Sequence, residues 1–246
     1  MPSPSRSVTP APGATNATNG ISIRDAVLTW FAAWFVGNVL SSMVLASSGA
    51  ERVADAGPWW LAASQLVAWT PLVAAIVFVS RRSGTGSLVR DFGLRARPLD
   101  LVGLPLGVAT QLVFVKAVYL PLNEIWPDTF STSKIEKPAR DLWQHAHGAG
   151  LVVLVIVVAV GAPLVEELAY RGLLQRSFTR CTGAVTGVVV VAVWFALIHF
   201  QPVSIPGLFV VGIVLGVCAQ RTGRLGMAIT THMAFNATGL ILVANT

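Results

Sequence analysis

Residues 151–171 read LVVLVIVVAVGAPLVEELAYR, and this stretch decides the fold class of the chain. Fifteen nearly uninterrupted apolar residues precede Glu166, with Glu167 and Arg171 close behind it. A helix needs roughly 20 apolar residues to cross a bilayer core about 30 Å thick. The stretch therefore predicts a transmembrane helix, and its ionisable side chains are candidates for function because charge is costly inside a membrane.

Six further apolar stretches have the same character, near residues 26–46, 59–79, 101–120, 183–200, 205–219 and 225–243. Together with 151–171 they predict an all-α polytopic transmembrane helical bundle of about seven spans, with an eighth span or a re-entrant segment as the alternative. The composition agrees, because only 11% of the 246 residues are charged and 54% are hydrophobic, against about 25% charged in soluble domains. A water-soluble enzyme and a disordered protein are thereby excluded.

The basic residues lie in short clusters between the apolar stretches, which is typical of membrane topology rather than of nucleic-acid binding. The net charge is +6, and no nucleic-acid partner is predicted. With the N-terminus inside, twelve arginines fall on the inner side and four basic residues on the outer side. The positive-inside rule therefore predicts a multi-pass protein of the cell (plasma) membrane, surrounded by lipid, with a cytoplasmic N-terminus. The inner set is Arg6, Arg24, Arg81, Arg82, Arg90, Arg95, Arg97, Arg171, Arg176, Arg180, Arg221 and Arg224, and the outer set is Arg52, Lys134, Lys137 and Arg140.

The chain divides into a tail and one membrane domain. Residues 1–22 are mostly Pro, Ser, Thr, Ala, Gly and Asn, which predicts a disordered cytoplasmic tail. Residues 23–246 form the predicted transmembrane helical domain. His145 and His147 lie in its longest connection, where we expect a solvated pair, since a metal site needs three or four convergent ligands.

The two adjacent glutamates are expected to have different roles. Glu167 and Arg171 are four positions apart, share one helix face and are predicted to form a structural ion pair. Glu166 is turned about 100° away from Glu167 and has no basic residue three or four positions away. A carboxylate that is partly removed from water takes up a proton more readily, which suits a general base. Glu166 is therefore the predicted reactive residue.

Three further polar residues fall in the later apolar stretches, and they predict a polar cavity inside the membrane. His199 ends one stretch, while His232 and Asn236 lie one helical turn apart in the last one. The helical rise places Glu166 roughly 15 Å from the inner face, His232 roughly 12 Å and His199 roughly 24 Å. Helix tilt, or an extension of the fourth helix past Arg171, must therefore bring His199 to the other residues.

Missing motifs narrow the class of enzyme. The chain has no H-E-x-x-H helix of the common zinc proteases and no G-x-S-x-G turn. It also lacks an intramembrane pair of aspartates. A serine or an aspartyl intramembrane protease is therefore disfavoured.

At these residues the sequence resembles the CPBP family (CAAX protease and bacteriocin-processing, also called the Abi family) of intramembrane proteases. Three motifs carry the resemblance: Glu166-Glu167-Leu-Ala-Tyr-Arg171, Phe195-Ala-Leu-Ile-His199 and His232-Met-Ala-Phe-Asn236. The resemblance covers about residues 150–240. It implies an all-helical bundle and an activity similar to that of type II CAAX prenyl endopeptidases.

The resemblance also implies a role for each motif residue. Glu166 would activate a water molecule, and His199 would orient that water or relay its proton. His232 and Asn236 would stabilise the oxyanion that develops on the scissile carbonyl. The cofactor is left open: the mechanism is metal-free, which the His–Asn pair favours, or it uses a divalent metal such as zinc bound by Glu166, His199 and His232.

The predicted function is an intramembrane endopeptidase acting on a membrane-associated protein or peptide. The Ala-, Val-, Gly- and Arg-rich composition resembles that of a bacterial chain. Bacteria generally lack prenylated CAAX proteins, so a prenylated substrate is disfavoured. The alternative is a non-proteolytic bacteriocin-immunity or membrane scaffolding protein of the same family. A transporter is disfavoured, since the two halves show no inverted repeat.

Overall fold

The structure is a computed structural model that describes residues 20–52 and 54–245. Most of the predicted tail, residues 1–19, lies outside the described residues. Within the described ranges every regular element is a helix, which confirms the all-α class. The helices are α1 (Ile23–Ala46), α2 (Gly57–Ser83), α3 (Leu88–Phe92), α4 (Pro98–Ile125), α5 (Pro127–Phe130), α6 (Thr132–Gln144), α7 (Ala149–Thr182), α8 (Ala184–Leu197), α9 (Pro202–Thr222) and α10 (Gly226–Ala244).

Six helices in the described part of the chain are long and apolar enough to cross a bilayer, namely α1, α2, α4, α7, α9 and α10. The prediction of a polytopic transmembrane bundle is therefore confirmed. The helix in the predicted span 183–200 is shorter than expected: α8 has 14 residues, about 21 Å of helix. It ends before Phe200, because the chain turns there with a φ of 51°.

The helices alternate between two ends of the bundle. At one end the α2–α4 and α9–α10 connections meet, where the Leu225 amide donates to the Gly93 carbonyl at 2.9 Å. We call this the arginine-rich end. At the opposite end α6 lies against the α1–α2 connection, with Arg52 Nη1 3.6 Å from Asp141 Oδ2. We call this the α6 end.

The longest helix, α7, carries the two glutamates. It has 34 residues and continues eleven residues past Arg171 to Thr182. Its hydrogen bonding widens from the α to the π pattern at Ile156–Gly161 and again at Leu168–Gln175. Such widened turns are rare in helices and are frequent at functional sites. Arg171, which the sequence analysis places at the inner end of this span, is instead buried well before the end of the helix.

The α7–α8 hairpin brings Glu166 and His199 to the same level. It turns at Gly183, whose φ of 86° favours glycine. Glu166 lies seventeen residues before this turn and His199 sixteen residues after it, about 25 Å along each arm. Of the two expected ways to close the depth gap, the structure therefore shows the extension of α7 past Arg171.

Close packing of α4 on α10 positions the helix that carries His232. A Cβ atom on Gly103 would lie only 2.7 Å from the Met227 carbonyl oxygen, so a side chain there would push the helices apart. Small residues allow such close approach of helices in a membrane. The N-terminal half of the chain thereby supports the C-terminal half, where the polar residues lie.

Candidate active site

Glu167 and Arg171 form a buried ion pair inside the bundle. Arg171 Nη1 lies 2.9 Å from Glu167 Oε1, and both side chains are fully buried. Arg171 Nη2 also donates to the Gly212 carbonyl of α9 at 3.2 Å, and the guanidinium stacks 4.6 Å from the centre of the Phe195 ring. The pair therefore fixes α7 against both α8 and α9.

His232 lies between the two glutamates. Its Nδ1 is 2.8 Å from Glu167 Oε1, and its Nε2 is 3.9 Å from Glu166 Oε2. Because a carboxylate accepts hydrogen bonds, Nδ1 carries the proton and Nε2 faces Glu166. Sequence reasoning assigned Glu167 to Arg171 alone and missed this contact, which joins residues 65 positions apart.

Glu166 is the exposed member of the glutamate pair, with 26% of its side chain accessible. The gap of 3.9 Å between Glu166 Oε2 and His232 Nε2 exceeds a direct hydrogen bond and is short enough for one water molecule to contact both atoms. The carboxylate lines a cavity of about 440 Å³, which we call the polar cavity. Its walls include Arg52, Gln65, Trp69, Asp141, Glu166 and Asn236.

His199 lies two residues beyond the end of α8, at the bend of the chain. Its Nδ1 is 2.6 Å from the Phe195 carbonyl oxygen, so Nδ1 donates and Nε2 remains available as an acceptor. The next residue, Phe200, has a positive φ of 51°, which is strained for a bulky side chain. Strain of this kind is often found beside functional residues.

A second cavity, which we call the apolar cavity, has a volume of about 290 Å³. Three of the predicted site residues, His199, His232 and Asn236, line it. Most of the remaining lining is apolar and includes Val115, Tyr119, Phe195, Leu208 and Phe235. The structure thus brings the four predicted catalytic residues to two adjoining cavities rather than to a single one.

Tyr119 of α4 holds the segment that carries His199. Its hydroxyl donates to the Val203 carbonyl at 2.7 Å and accepts from the Gly207 amide at 3.2 Å. Both partners lie in the first turns of α9, so these bonds fix the start of the helix that follows His199. Sequence reasoning missed Tyr119, and no local pattern marks it, because its partners lie 84 and 88 positions away.

Asn236 lines both cavities and also supports α7. Its Nδ2 donates to the Val158 carbonyl at 2.8 Å. In this widened turn the Ala162 amide bonds to Val157, and Pro163 has no amide hydrogen, so Asn236 supplies the donor that the helix lacks. The second Nδ2 hydrogen is the one left for a ligand.

The predicted metal ligands are not assembled as a metal site. Over residues 20–52 and 54–245, no three His, Cys, Asp or Glu side chains are grouped closely enough to hold a metal ion. Glu166 and His232 are neighbours, whereas His199 lines only the apolar cavity. Any metal bound by these three residues would require them to move together.

Together these features define a multi-pass membrane protein with an acidic and histidine-containing site enclosed by its helices. Residues 148–238 match the Rce1-like family model, which is described as type II CAAX prenyl endopeptidase Rce1-like. The match confirms the family resemblance predicted from the three motifs, and it includes all six predicted site residues. No curated protein and no solved structure matches the chain.

Proposed function

We propose that this chain is an intramembrane endopeptidase that hydrolyses a peptide bond in a membrane-associated protein or peptide. One observation carries the proposal: Glu166 Oε2 and His232 Nε2 face each other across 3.9 Å at a cavity wall. The match to an endopeptidase family supports the reaction type. The arrangement leaves one free carboxylate at the cavity, because Glu167 is already neutralised by Arg171.

In the proposed reaction Glu166 acts as the general base. It takes a proton from the water molecule, and the resulting hydroxide adds to the scissile carbonyl carbon. The tetrahedral species then collapses: the C–N bond breaks, and protonated Glu166 returns its proton to the leaving nitrogen. The products are a carboxylic acid and an amine, which ionise to a carboxylate and an ammonium group, and no covalent enzyme intermediate forms.

The histidines and Asn236 orient the water and stabilise charge in this mechanism. Glu167 fixes the His232 ring, so that Nε2 contacts the water as a neutral imidazole. When Glu166 passes the proton of the water on to Nε2, the imidazolium donates to the oxyanion, and the same proton then returns through Glu166 to the leaving nitrogen. The free Nδ2 hydrogen of Asn236 is a second donor for the oxyanion. His199 Nε2 relays a proton or orients the water from the side of the apolar cavity.

The proposal takes a metal-free, glutamate-dependent mechanism. Asn236 beside His232 favours it, since an amide is a better hydrogen-bond donor than a metal ligand. The alternative is a divalent metal such as zinc held by Glu166, His199 and His232, which would polarise the scissile carbonyl. Adding a chelator to the purified protein distinguishes the two mechanisms.

Replacing Glu166 by Gln tests the proposal, because the change keeps the side-chain shape and removes the base. The protein is purified, reconstituted in vesicles and given a prenylated CAAX peptide and its unprenylated counterpart. We expect wild type to cleave at least one peptide and Glu166→Gln to lower the rate by about 100-fold or more.

Glu124→Gln is the matched control, since Glu124 is an exposed glutamate near the end of α4. It should cleave as wild type does. Equal cleavage by the Glu166 variant would contradict the general-base role. If the variant kept its biological activity while neither peptide was cleaved, the non-proteolytic immunity or scaffolding function would replace the proposal.

A further inference from the structure

The site opens onto two cavities of different chemistry, and they share a wall. Glu166 lines the polar cavity, whereas His199 lines the apolar cavity. Asn236 and Gln201 line both, so they lie at the boundary. Glu166 and the apolar lining are therefore on opposite sides of a shared wall that contains two amide side chains.

The polar cavity extends from the middle of α7 to the charged surface of the α6 end. Glu166 lines it at one extreme and the Arg52–Asp141 ion pair at the other. Gln65 of α2 adds a polar side chain between helices that are otherwise apolar. Charged and amide groups along one cavity favour water inside it.

Ion pairs surround the mouth of this cavity. Arg52 contacts Asp55 at 2.7 Å and Asp141 at 3.6 Å, while Lys137 contacts Asp141 at 2.7 Å. The Arg52 side chain is 60% exposed, so the mouth meets solvent. Exposed pairs of this kind are weak, and they restrict the opening without sealing it.

Helix α6 contributes to the wall that the two cavities share. Its Pro138 and Leu142 line both cavities, and its Asp141 lines the polar cavity alone. The helix therefore forms part of the wall between the two cavities.

We propose that the polar cavity is the aqueous route by which the hydrolytic water reaches Glu166 from the α6 end, separate from the apolar cavity. The inference rests on the proposed function for the use of that water. The route itself follows from the cavity lining and is testable without any enzyme activity.

Two matched cysteine variants test the route. Gln65 and Gln111 are both half-buried glutamines of membrane-spanning helices, and they line the polar and the apolar cavity respectively. Each is changed to Cys in a Cys181→Ser background, which removes the exposed native thiol. The reconstituted protein is treated with a charged methanethiosulfonate reagent, and labelling is followed by mass spectrometry.

We expect the charged reagent to label Gln65→Cys at least about 10-fold faster than Gln111→Cys. An uncharged apolar maleimide should label both. Equal rates with the charged reagent, or faster labelling of Gln111→Cys, would overturn the aqueous route. Thermal unfolding of each variant shows that it is folded.

A second pair of cysteine variants keeps the test valid if a variant of the first pair fails to fold. Ala162 lines the polar cavity one turn before Glu166, and Gly239 lines the apolar cavity, where a Cβ atom would meet nothing closer than 3.7 Å. Ala162→Cys should again be labelled faster by the charged reagent than Gly239→Cys, and the reverse order would contradict the route. Because these readouts need no substrate, an inactive wild type would count against the proposed function and leave the labelling result standing.

Discussion

The Glu167–Arg171 and Asp100–Arg224 ion pairs are both buried in this bundle, and they differ in a way that separates the site from the scaffold. Glu167–Arg171 lies at the candidate active site, with a 2.9 Å contact inside one helix. Asp100–Arg224 lies at the arginine-rich end, with a 2.6 Å contact that joins residues 124 positions apart. Both carboxylates are almost completely buried. The difference is in how fully each pair is hydrogen-bonded.

The Asp100 carboxylate is fully occupied. Arg224 donates to Oδ1 at 2.6 Å and to Oδ2 at 3.0 Å, and the Arg97 amide donates to Oδ2 at 2.7 Å. A bidentate pair of this kind is strong and geometrically specific. The pair fastens the start of α4 to the α9–α10 connection.

The Glu167 carboxylate is only half occupied. Arg171 and His232 both bond to Oε1, while Oε2 and Arg171 Nε have no hydrogen-bond partner in the described part of the chain. Buried polar atoms are normally satisfied, and exceptions often mark functional sites. The comparison therefore indicates that the first pair orients a histidine, whereas the second pair fastens the scaffold.

Breaking one partner of the site pair should have the largest effect. Arg171→Met would leave Glu167 as a buried carboxylate without its cation, which destabilises a protein by about 3–5 kcal/mol. The thermal unfolding temperature of the purified protein in detergent measures the loss. The double variant Glu167→Leu/Arg171→Met removes both charges and should recover most of the stability. A double variant as unstable as the single one would contradict the account.

If the Glu167 pair orients His232 and the Asp100 pair fastens the scaffold, replacing each carboxylate by its amide should affect kcat differently. Glu167→Gln keeps the shape and removes the charge that holds the His232 ring, so we expect kcat to fall about 10- to 100-fold with little change in KM. It also leaves Arg171 as a buried cation without its anion, so the unfolding temperature should fall as well. Asp100→Asn should leave kcat near wild type and lower the unfolding temperature. Steady-state kinetics and thermal unfolding are measured for both variants. A fall in kcat for Asp100→Asn, with no fall for Glu167→Gln, would reverse the assigned roles.

The same two pairs show what the sequence could predict. The four-residue spacing of Glu167 and Arg171 predicted their pairing, because the period of a helix fixes which side chains share a face. Asp100 and Arg224 could not be paired in advance, since their contact depends on how α4 meets the α9–α10 connection. Long apolar stretches likewise predicted the bundle, whereas periodicity contains no information about distances between helices.

The bend at His199 and the division of the site into two cavities were missed for related reasons. The apolar stretch continues to Phe200, so composition predicts a full span where α8 ends at Leu197. The chain turns at Phe200, which has a φ of 51°, and Tyr119 of α4 bonds to the start of α9 just beyond the turn. The cavities arise from the packing of α6 against the bundle, which no residue pattern within α6 specifies.

Asp91 is a third carboxylate, and it is held by hydrogen bonds without a cation. Its replacement by Asn should have the smallest effect of these substitutions on the unfolding temperature. Asp91 Oδ2 accepts from the Ser80 hydroxyl at 2.5 Å, and Thr85 donates to the carboxylate from its amide at 3.0 Å and its hydroxyl at 2.8 Å. Partial burial raises the pKa of Asp91, and these hydrogen bonds lower it. The hydrogen bonds have the larger combined effect, so the pKa of Asp91 lies below its usual value.

A folded-state pKa below the unfolded value means that the ionised Asp91 stabilises the fold above the unfolded pKa of about 3.9. The stabilisation is lost as the pH falls through the lower folded-state pKa. The unfolding temperature of wild type should therefore exceed that of Asp91→Asn by a few degrees at pH 7, with the difference shrinking below about pH 4. If the difference in unfolding temperature were independent of pH, the hydrogen bonds from Ser80 and Thr85 would act equally on the neutral side chain. Asp91, unlike Asp100 and Glu167, would then contribute no stabilisation through its charge.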